Sequence, residues 1–367
     1  MQVPQGTFML ERFPRGGDPT LRAWNAADEL ALSHVHELGL TGRILVVNDD
    51  FGALVVGLGP DADVTSWGDS EVSRRGATSN LDRNERPGLT LNFVPSTQAP
   101  DGPFDVVIVK IPRSLAFLED QLRGLRPLLA ADAVVIGAGM VKNVHNSTTA
   151  LFEEIVGPTK TSLARRKARL IHPVYDPALE VSSSTMPTSY AHDGLTIVNH
   201  ASVFSRERLD IGTRALLDKL PAIARGADVL DLGCGNGLVG TVAARQGAVV
   251  TFVDESFEAV ASAQATLAGS LPDVDNATFL VTDATEGIED ASMDLVICNP
   301  PFHAHGARID DIAWRMFSGA HRVLRPSGEL VVVGNRNLGH HEKLEKVFGA
   351  TSVIGSTDKF VVLRSVR

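Results

Sequence analysis

Asn299-Pro300-Pro301-Phe302 follows directly on the strand-forming run Met293–Cys298. Two adjacent prolines remove two backbone N–H donors and hold the chain extended, which ends sheet pairing and fixes whatever Asn299 and Phe302 present. Upstream, Gly233, Gly235 and Gly237, with Asn236 among them, separate a strand run "ADVLDL" from a helical run "LVGTVAARQG". Glycine there lets backbone approach a ligand closely while helix N–H groups point at it. Alone such a loop says little, because dehydrogenases use a related one and a ligand-free tight turn has the same composition.

Three acids narrow the chemistry. Asp231 precedes the glycines, where it could hold a cationic amino group; Asp254 ends the next strand, where a carboxylate can accept both hydroxyls of a ribose. Asp283, in "LVTDAT", ends the third and is placed to accept from the exocyclic amine of an adenine. Singly, each is as well explained by solvation of a strand end or by helix capping. Together they describe a site for a ribose, an adenine and a charged amino acid, which is S-adenosylmethionine, leaving as S-adenosylhomocysteine.

Against such a cofactor, Asn299 to Phe302 make chemical sense. An exocyclic amine on a base or amide is a poor nucleophile, its lone pair delocalised into the ring or carbonyl. The Asn299 side-chain oxygen and the Pro300 carbonyl can accept its two N–H bonds, favouring a pyramidal nitrogen, with Pro301 stiffening the turn and Phe302 stacking on the base. Catalysis then rests on orientation and charge matching, with no metal or covalent nucleophile required. His303 and His305 have no third ligand nearby and read as polar loop residues or RNA contacts.

The elements that must position these residues alternate as in a parallel sheet. After the first strand and helix come "AVVTFVD", an Ala-rich helix over Glu255 to Gly269, "ATFLVTD", "MDLVICNPPF", the helix "IDDIAWRMFSGAHRVL", the turn "RPSG", the strand "ELVVVGN" and the pair "ATSVIGS" and "FVVLRS". That predicts a doubly wound α/β domain, with an antiparallel edge compatible with the last two strands.

The first half repeats this punctuation. "GRILVVNDDFGAL" matches "ADVLDLGCGNGLV", "ADVTSWGDS" matches "AVVTFVDES", "FDVVIVKIPRS" matches "MDLVICNPPFH" and "ADAVVIGAGM" matches "GELVVVGNRN", at offsets growing from about 185 to about 197 residues. The expected fold is therefore α/β with two tandem Rossmann-like domains of mostly parallel sheet. The first copy has "NDDFG" for the glycine loop and Lys110-Ile111-Pro112-Arg113 for Asn299 to Phe302, so it is degenerate, with a binding or packing role. The expected boundaries are 1–180 for this copy, a linker over 181–198 in polar "VSSSTMPTS", and 199–367 for the catalytic domain.

Composition agrees with a folded chain of 367 residues, 44% hydrophobic and 21% charged, for which two domains are the natural prior. No signal-peptide pattern opens it and no apolar run approaches the length of a membrane helix, so it reads as cytoplasmic with no membrane partner. Cys234 and Cys298 lie inside the motifs rather than at framework spacing and read as buried, inert thiols. The net charge of −10 argues against wholesale nonspecific binding to nucleic acid but leaves room for a local basic surface. The densest basic run holds Lys160, Arg165, Arg166, Lys167 and Arg169; it reads as a solvated helix face or as an RNA-phosphate contact.

The combination "DLGCGNG" and "NPPFH" resembles the bacterial ribosomal RNA guanine-N(2) methyltransferases, two-domain enzymes whose N-terminal half is a degenerate methyltransferase. Stretches outside the general motifs resemble most the branch acting on 23S rRNA: "NDDFGAL", "GPTKTSLARRKARLI", "NHASVFSRERLDIGTRALL", "DIAWRMF" and "KFVVLRSVR". The resemblance implies S-adenosylmethionine-dependent methylation of N2 of one guanine in 23S rRNA, with no obligate protein partner. It also implies that Phe204 and Gly212 lie over the cofactor. The target base must leave its stack to reach such a pocket, which favours a loop or unpaired region. Other readings of the same motifs are a 16S rRNA guanine, a DNA adenine or a protein glutamine as acceptor. An RNA-binding assembly factor that has lost catalysis is a further alternative, but it predicts decay of the second half too, where the motifs are intact.

Overall fold

Runs such as Ile44–Val47, Val106–Val109 and Leu295–Cys298 are apolar at every position, the pattern of parallel strands covered on both faces. In the computed structural model, which describes residues 1–16, 20–59, 62–84, 91–301 and 307–367 (backbone alone for 307–310), these runs are the central strands of two sheets. The chain divides into two units, Met1–Met186 and Pro187–Arg367.

The first unit runs β1 (Gln2–Val3), β2 (Gly6–Thr7), α1 (Ala26–Glu37), β3 (Arg43–Val47), α2 (Ala53–Leu58), β4 (Asp63–Gly68), α3 (Glu71–Arg83), β5 (Asn92–Pro95), β6 (Phe104–Lys110), α4 (Leu115–Leu125), β7 (Leu129–Met140), α5 (Asn146–Ile155), β8 (Thr159–Thr161) and β9 (Ala168–Pro173). The second opens with a hairpin, β10 (Thr188–His192) and β11 (Leu195–Asn199). It continues through α6 (Ile211–Leu217), β12 (Asp228–Leu232), α7 (Leu238–Arg245), β13 (Val249–Asp254), α8 (Phe257–Ser270), β14 (Thr278–Val281), β15 (Met293–Cys298), α9 (Ala307–Val323), β16 (Leu324–Asn335), α10 (His340–Phe348), β17 (Thr351–Ser356) and β18 (Phe360–Val366).

The two sheets share one topology. Their strand orders are β5-β4-β3-β6-β7-β9-β8 and β14-β13-β12-β15-β16-β18-β17, five parallel strands and an antiparallel pair in each. The likeness extends to single residues: β7 and β16, twelve residues each, carry the same succession of buried and exposed positions. Because side chains alternate across a strand, Ile44, Val46, Val106 and Ile108 join one core cluster and Leu45, Val47, Val107 and Val109 the other, on opposite faces of the first sheet. Val229, Leu295 and Ile297 are likewise separated from Leu230, Leu232 and Val296 in the second.

Three local expectations are corrected. The window 181–198 contains all but the last residue of the β10–β11 hairpin, whose Leu195 and Ile197 are buried against Leu238 and which bonds to α8 through Thr196 N to Ser270 Oγ and Val198 N to Thr266 Oγ1. The basic run is a β8–β9 hairpin rather than a helix face, turned by Arg166 and Lys167 at φ of 49° and 63°. Helical pitch had no apolar repeat to act on there, whereas Ala168, Leu170 and Ile171 are buried in strand register. "RPSG" does not break the strand: it is absorbed in β16 by a register shift against β15, with Ser327 at φ 68°.

Candidate active site

Register brings the site residues together. Leu232 lies opposite Cys298 and Val253, and Asp254 lies opposite Val281. Gly233 and Asn299 therefore leave neighbouring strands side by side, Asp254 one strand away and Asp283 just past the end of β14. This is the crevice at the carboxyl ends of the strands where the strand order reverses, the place where open α/β sheets bind ligands.

The glycine loop is built from left-handed backbone. Gly233, Gly235 and Gly237 have φ of 75°, 54° and 74°, a region that costs other residues strain. Gly237 also permits contact between α7 and α8, since a Cβ there would stand 2.6 Å from Cα of Ala263. At Gly235 a Cβ would meet nothing within 4 Å among the described residues.

The carboxylates brace this loop. Asp231, buried, accepts at Oδ2 from Gly240 N at 2.8 Å. Burial pushes its carboxyl up to about 7, partly offset by that bond and reinforced by the charge of Asp254. Asp254 accepts from Gly235 N through Oδ2 and from Ser256 N through Oδ1, both at 3.1 Å. Asn236 donates to Asn199 Oδ1 at 2.9 Å, so the β10–β11 hairpin is tied to the loop. Asp283, buried, is ion-paired with Arg315 of α9. Burial raises both thiols, Cys234 and Cys298, well above the ordinary range, as expected for inert packing residues.

Asn299 is oriented. Its Nδ2 donates to Thr213 Oγ1 of α6 at 3.0 Å, and its Oδ1 is withdrawn from solvent with no hydrogen-bond partner among the described residues. Pro300 is buried and Pro301 exposed. Phe302, His303 and His305 lie outside the described residues. Phe204 is 56% exposed, in the loop before α6, and Gly212 is buried within α6 beside Thr213. Sequence reasoning missed Thr213 and Arg315. Thr213 stood in plain view in "DIGTR" and Arg315 in "DIAWRMF", but nothing local ties either to a residue 86 or 32 positions away.

The basic hairpin belongs to the first unit. Lys160, Arg165, Arg166 and Lys167 are exposed, Arg169 is half-buried, and Arg166 pairs with Glu29 at 2.8 Å. The first unit also keeps the shape of the loop without its chemistry. Asn48 holds the left-handed place of Gly233 (φ 62°), and Gly52, at φ 80°, sits 2.6 Å from Cα of Ala77 by the same Cβ measure as Gly237 from Ala263. Gly68, the last residue of β4, stands where Asp254 ends β13.

Comparison with known proteins agrees with this architecture. Residues 1–177 match the RLMG N-terminal domain model and residues 194–364 the methyltransferase small domain model. A Streptomyces coelicolor protein, ribosomal RNA large subunit methyltransferase G, is 47% identical across the whole of both chains. The chain belongs to the ribosomal RNA large subunit methyltransferase G family. The Photobacterium profundum member is 43% identical, over 98% of this chain and 97% of its own. Among solved structures, the T. thermophilus 16S rRNA N2 G1207 methyltransferase, in complex with AdoMet and guanosine, superposes with a TM-score of 0.79 at 25% identity, over 98% of each chain. Family membership fits the tandem sheets. Among the described residues, no helix is long and apolar enough to cross a membrane.

Proposed function

We propose that this protein transfers a methyl group from S-adenosylmethionine to the exocyclic amine, N2, of a specific guanine in 23S rRNA. The observation that carries the reading is the buried Oδ1 of Asn299, an acceptor with no partner among the described residues, on the strand end beside the glycine loop. A buried acceptor without a partner costs about 1–3 kcal/mol, and an amine N–H restores that loss only when substrate is present.

The residues fit the cofactor. Open space over Gly235, the Asp231 carboxyl, the Asp254 carboxylate and Asp283 offer in turn room for the chain, a partner for an ammonium, acceptors for ribose hydroxyls and an acceptor for an adenine amine. Bound there, S-adenosylmethionine supplies a methyl group on a positively charged sulfur. Asn299 Oδ1 and the Pro300 carbonyl accept the two N–H bonds of the guanine amine and turn its lone pair out of the ring plane. Phe302 would stack on the base, and Phe204 and Gly212 would lie over the cofactor. The rate gain comes from orientation, since the nucleophile has little reactivity of its own.

The first unit is assigned to positioning RNA, with Lys160, Arg165, Lys167 and Arg169 of the β8–β9 hairpin as its phosphate contacts. The substrate implies a cytoplasmic enzyme. Incubation with S-adenosylmethionine labelled in the methyl group and total rRNA from a strain lacking this gene tests the reading. Label confined to 23S rRNA supports it; label in 16S rRNA alone moves the target to the small subunit.

A further inference from the structure

We infer that Thr213 is a positioning residue for methyl transfer, anchoring the Asn299 amide so that its oxygen faces the substrate; the inference rests on the function proposed above. An asparagine amide has two nearly isosteric ends, one an acceptor and the other a double donor. A donor end turned toward the guanine amine would meet N–H with N–H. An acceptor end selects an amine, so the orientation of the amide decides what Asn299 recognises.

Nothing in Asn299 itself makes that choice. Thr213 Oγ1 anchors one end by accepting from Nδ2 at 3.0 Å, and Oδ1 is then the buried end without a partner among the described residues. Thr213 is in turn held. Its backbone N–H donates to Oδ2 of Asp210, the N-cap of α6, at 3.0 Å, and a Cβ on the preceding Gly212 would stand 2.9 Å from that same oxygen. The hydroxyl therefore sits on the first turn of a capped helix rather than on a loop. A hydroxyl gives the amide a polar partner at fixed distance, whereas the isosteric valine offers none and leaves the amide unanchored.

The test is a double-mutant cycle on the full chain, with Thr213→Val, Thr213→Ser, Asn299→Ala and Thr213→Val/Asn299→Ala, measured on rRNA lacking the modification. Loss of one orienting hydrogen bond is expected to lower kcat about tenfold in Thr213→Val, with KM for RNA and the Kd for S-adenosylmethionine unchanged. Thr213→Ser, which keeps the acceptor, retains most of the rate. In the Asn299→Ala background, Thr213→Val has no further effect, because it has no amide left to orient. A packing role would lower melting temperature and cofactor affinity and would multiply with Asn299→Ala. Either that multiplication or a wild-type kcat in Thr213→Val overturns the inference while leaving the proposed function standing. Full activity in Asn299→Ala also overturns the inference, whereas absence of methyl transfer by the wild-type protein overturns the proposed function itself, so the two failures are told apart.

Discussion

Lys110 and Asp28, both buried, form an ion pair in the first unit at the place where Asn299 and Thr213 meet in the second. Lys110 ends β6 as Asn299 follows β15, and Asp28 lies in α1 as Thr213 lies in α6, so the duplicated fold presents one juxtaposition twice. In one copy it orients an amide; in the other it is a buried charge pair. Burial opposes the charge of Lys110, but the carboxylates of Asp28, Asp50 and Asp49 more than offset this and hold the ammonium protonated.

Removing one member of that pair should therefore be costly. Lys110→Met leaves the buried Asp28 without its counter-charge and is expected to destabilise the chain by about 3–5 kcal/mol in urea unfolding. Lys110→Met/Asp28→Asn, which removes both charges and keeps the acceptor for the Asn25 N–H at the start of α1, should recover most of the loss. Equal destabilisation of the single and double variants contradicts a structural role for the pair.

How much of this was legible beforehand follows from what kind of signal each feature leaves. The tandem sheets were visible because buried parallel strands are uniformly apolar and glycines and acids mark their ends. Asp231, Asp254 and Asn299 were visible because their types are informative at a strand end. Thr213 and Arg315 were not, because each acts through a partner that only sheet register and helix packing bring near. The β8–β9 hairpin was misread because a short basic run has no periodicity of its own; burial of Ala168, Leu170 and Ile171 in the first sheet decides it.

Stability should fall as pH rises toward neutrality. Asp49 and Asp231 are both raised to about 7 from an ordinary 3.8, burial being the largest cause in each. The folded state therefore binds protons that the unfolded chain has released. Stability is undiminished by these groups below about pH 4 and declines through the window from 4 to 7. Asp49→Asn, which keeps an oxygen for the Leu54 and Val55 N–H groups, should flatten that decline in unfolding curves between pH 5 and 8.

Cofactor binding should release a proton for the same reason. An ammonium brought to Asp231 favours its ionised form, so affinity rises with pH up to about 7 and then levels. Calorimetry at pH 6 in two buffers of different ionisation enthalpy reads the release directly, and Asp231→Asn should abolish it together with most of the affinity.

Arg315 should matter for the cofactor rather than for the reacting amine. Arg315→Ala leaves the buried Asp283 without its cation and is expected to weaken S-adenosylmethionine binding roughly tenfold or more, with kcat at saturation largely retained. A loss confined to kcat would move Arg315 to the methyl-transfer step.

The basic hairpin can be tested through salt. Lys160→Ala, Arg165→Ala and Lys167→Ala together remove exposed charges and should lower the slope of log affinity for rRNA against log salt by roughly two to three, with little change in kcat at saturating RNA. An unchanged slope places the phosphate contacts on another surface.

The central claim is that Asn299 orients a guanine amine for methylation, and nucleoside analysis of the product tests it most directly. Purified enzyme and the Asn299→Ala variant, each shown to bind S-adenosylmethionine, are incubated with 23S rRNA from cells lacking this gene, and the RNA is digested to nucleosides. Wild-type protein is expected to give N2-methylguanosine as the sole new nucleoside, and Asn299→Ala to lose about a hundredfold or more in rate, on the order expected when orientation is removed. A methylated adenosine or cytidine, or undiminished N2-methylguanosine from the variant, contradicts it.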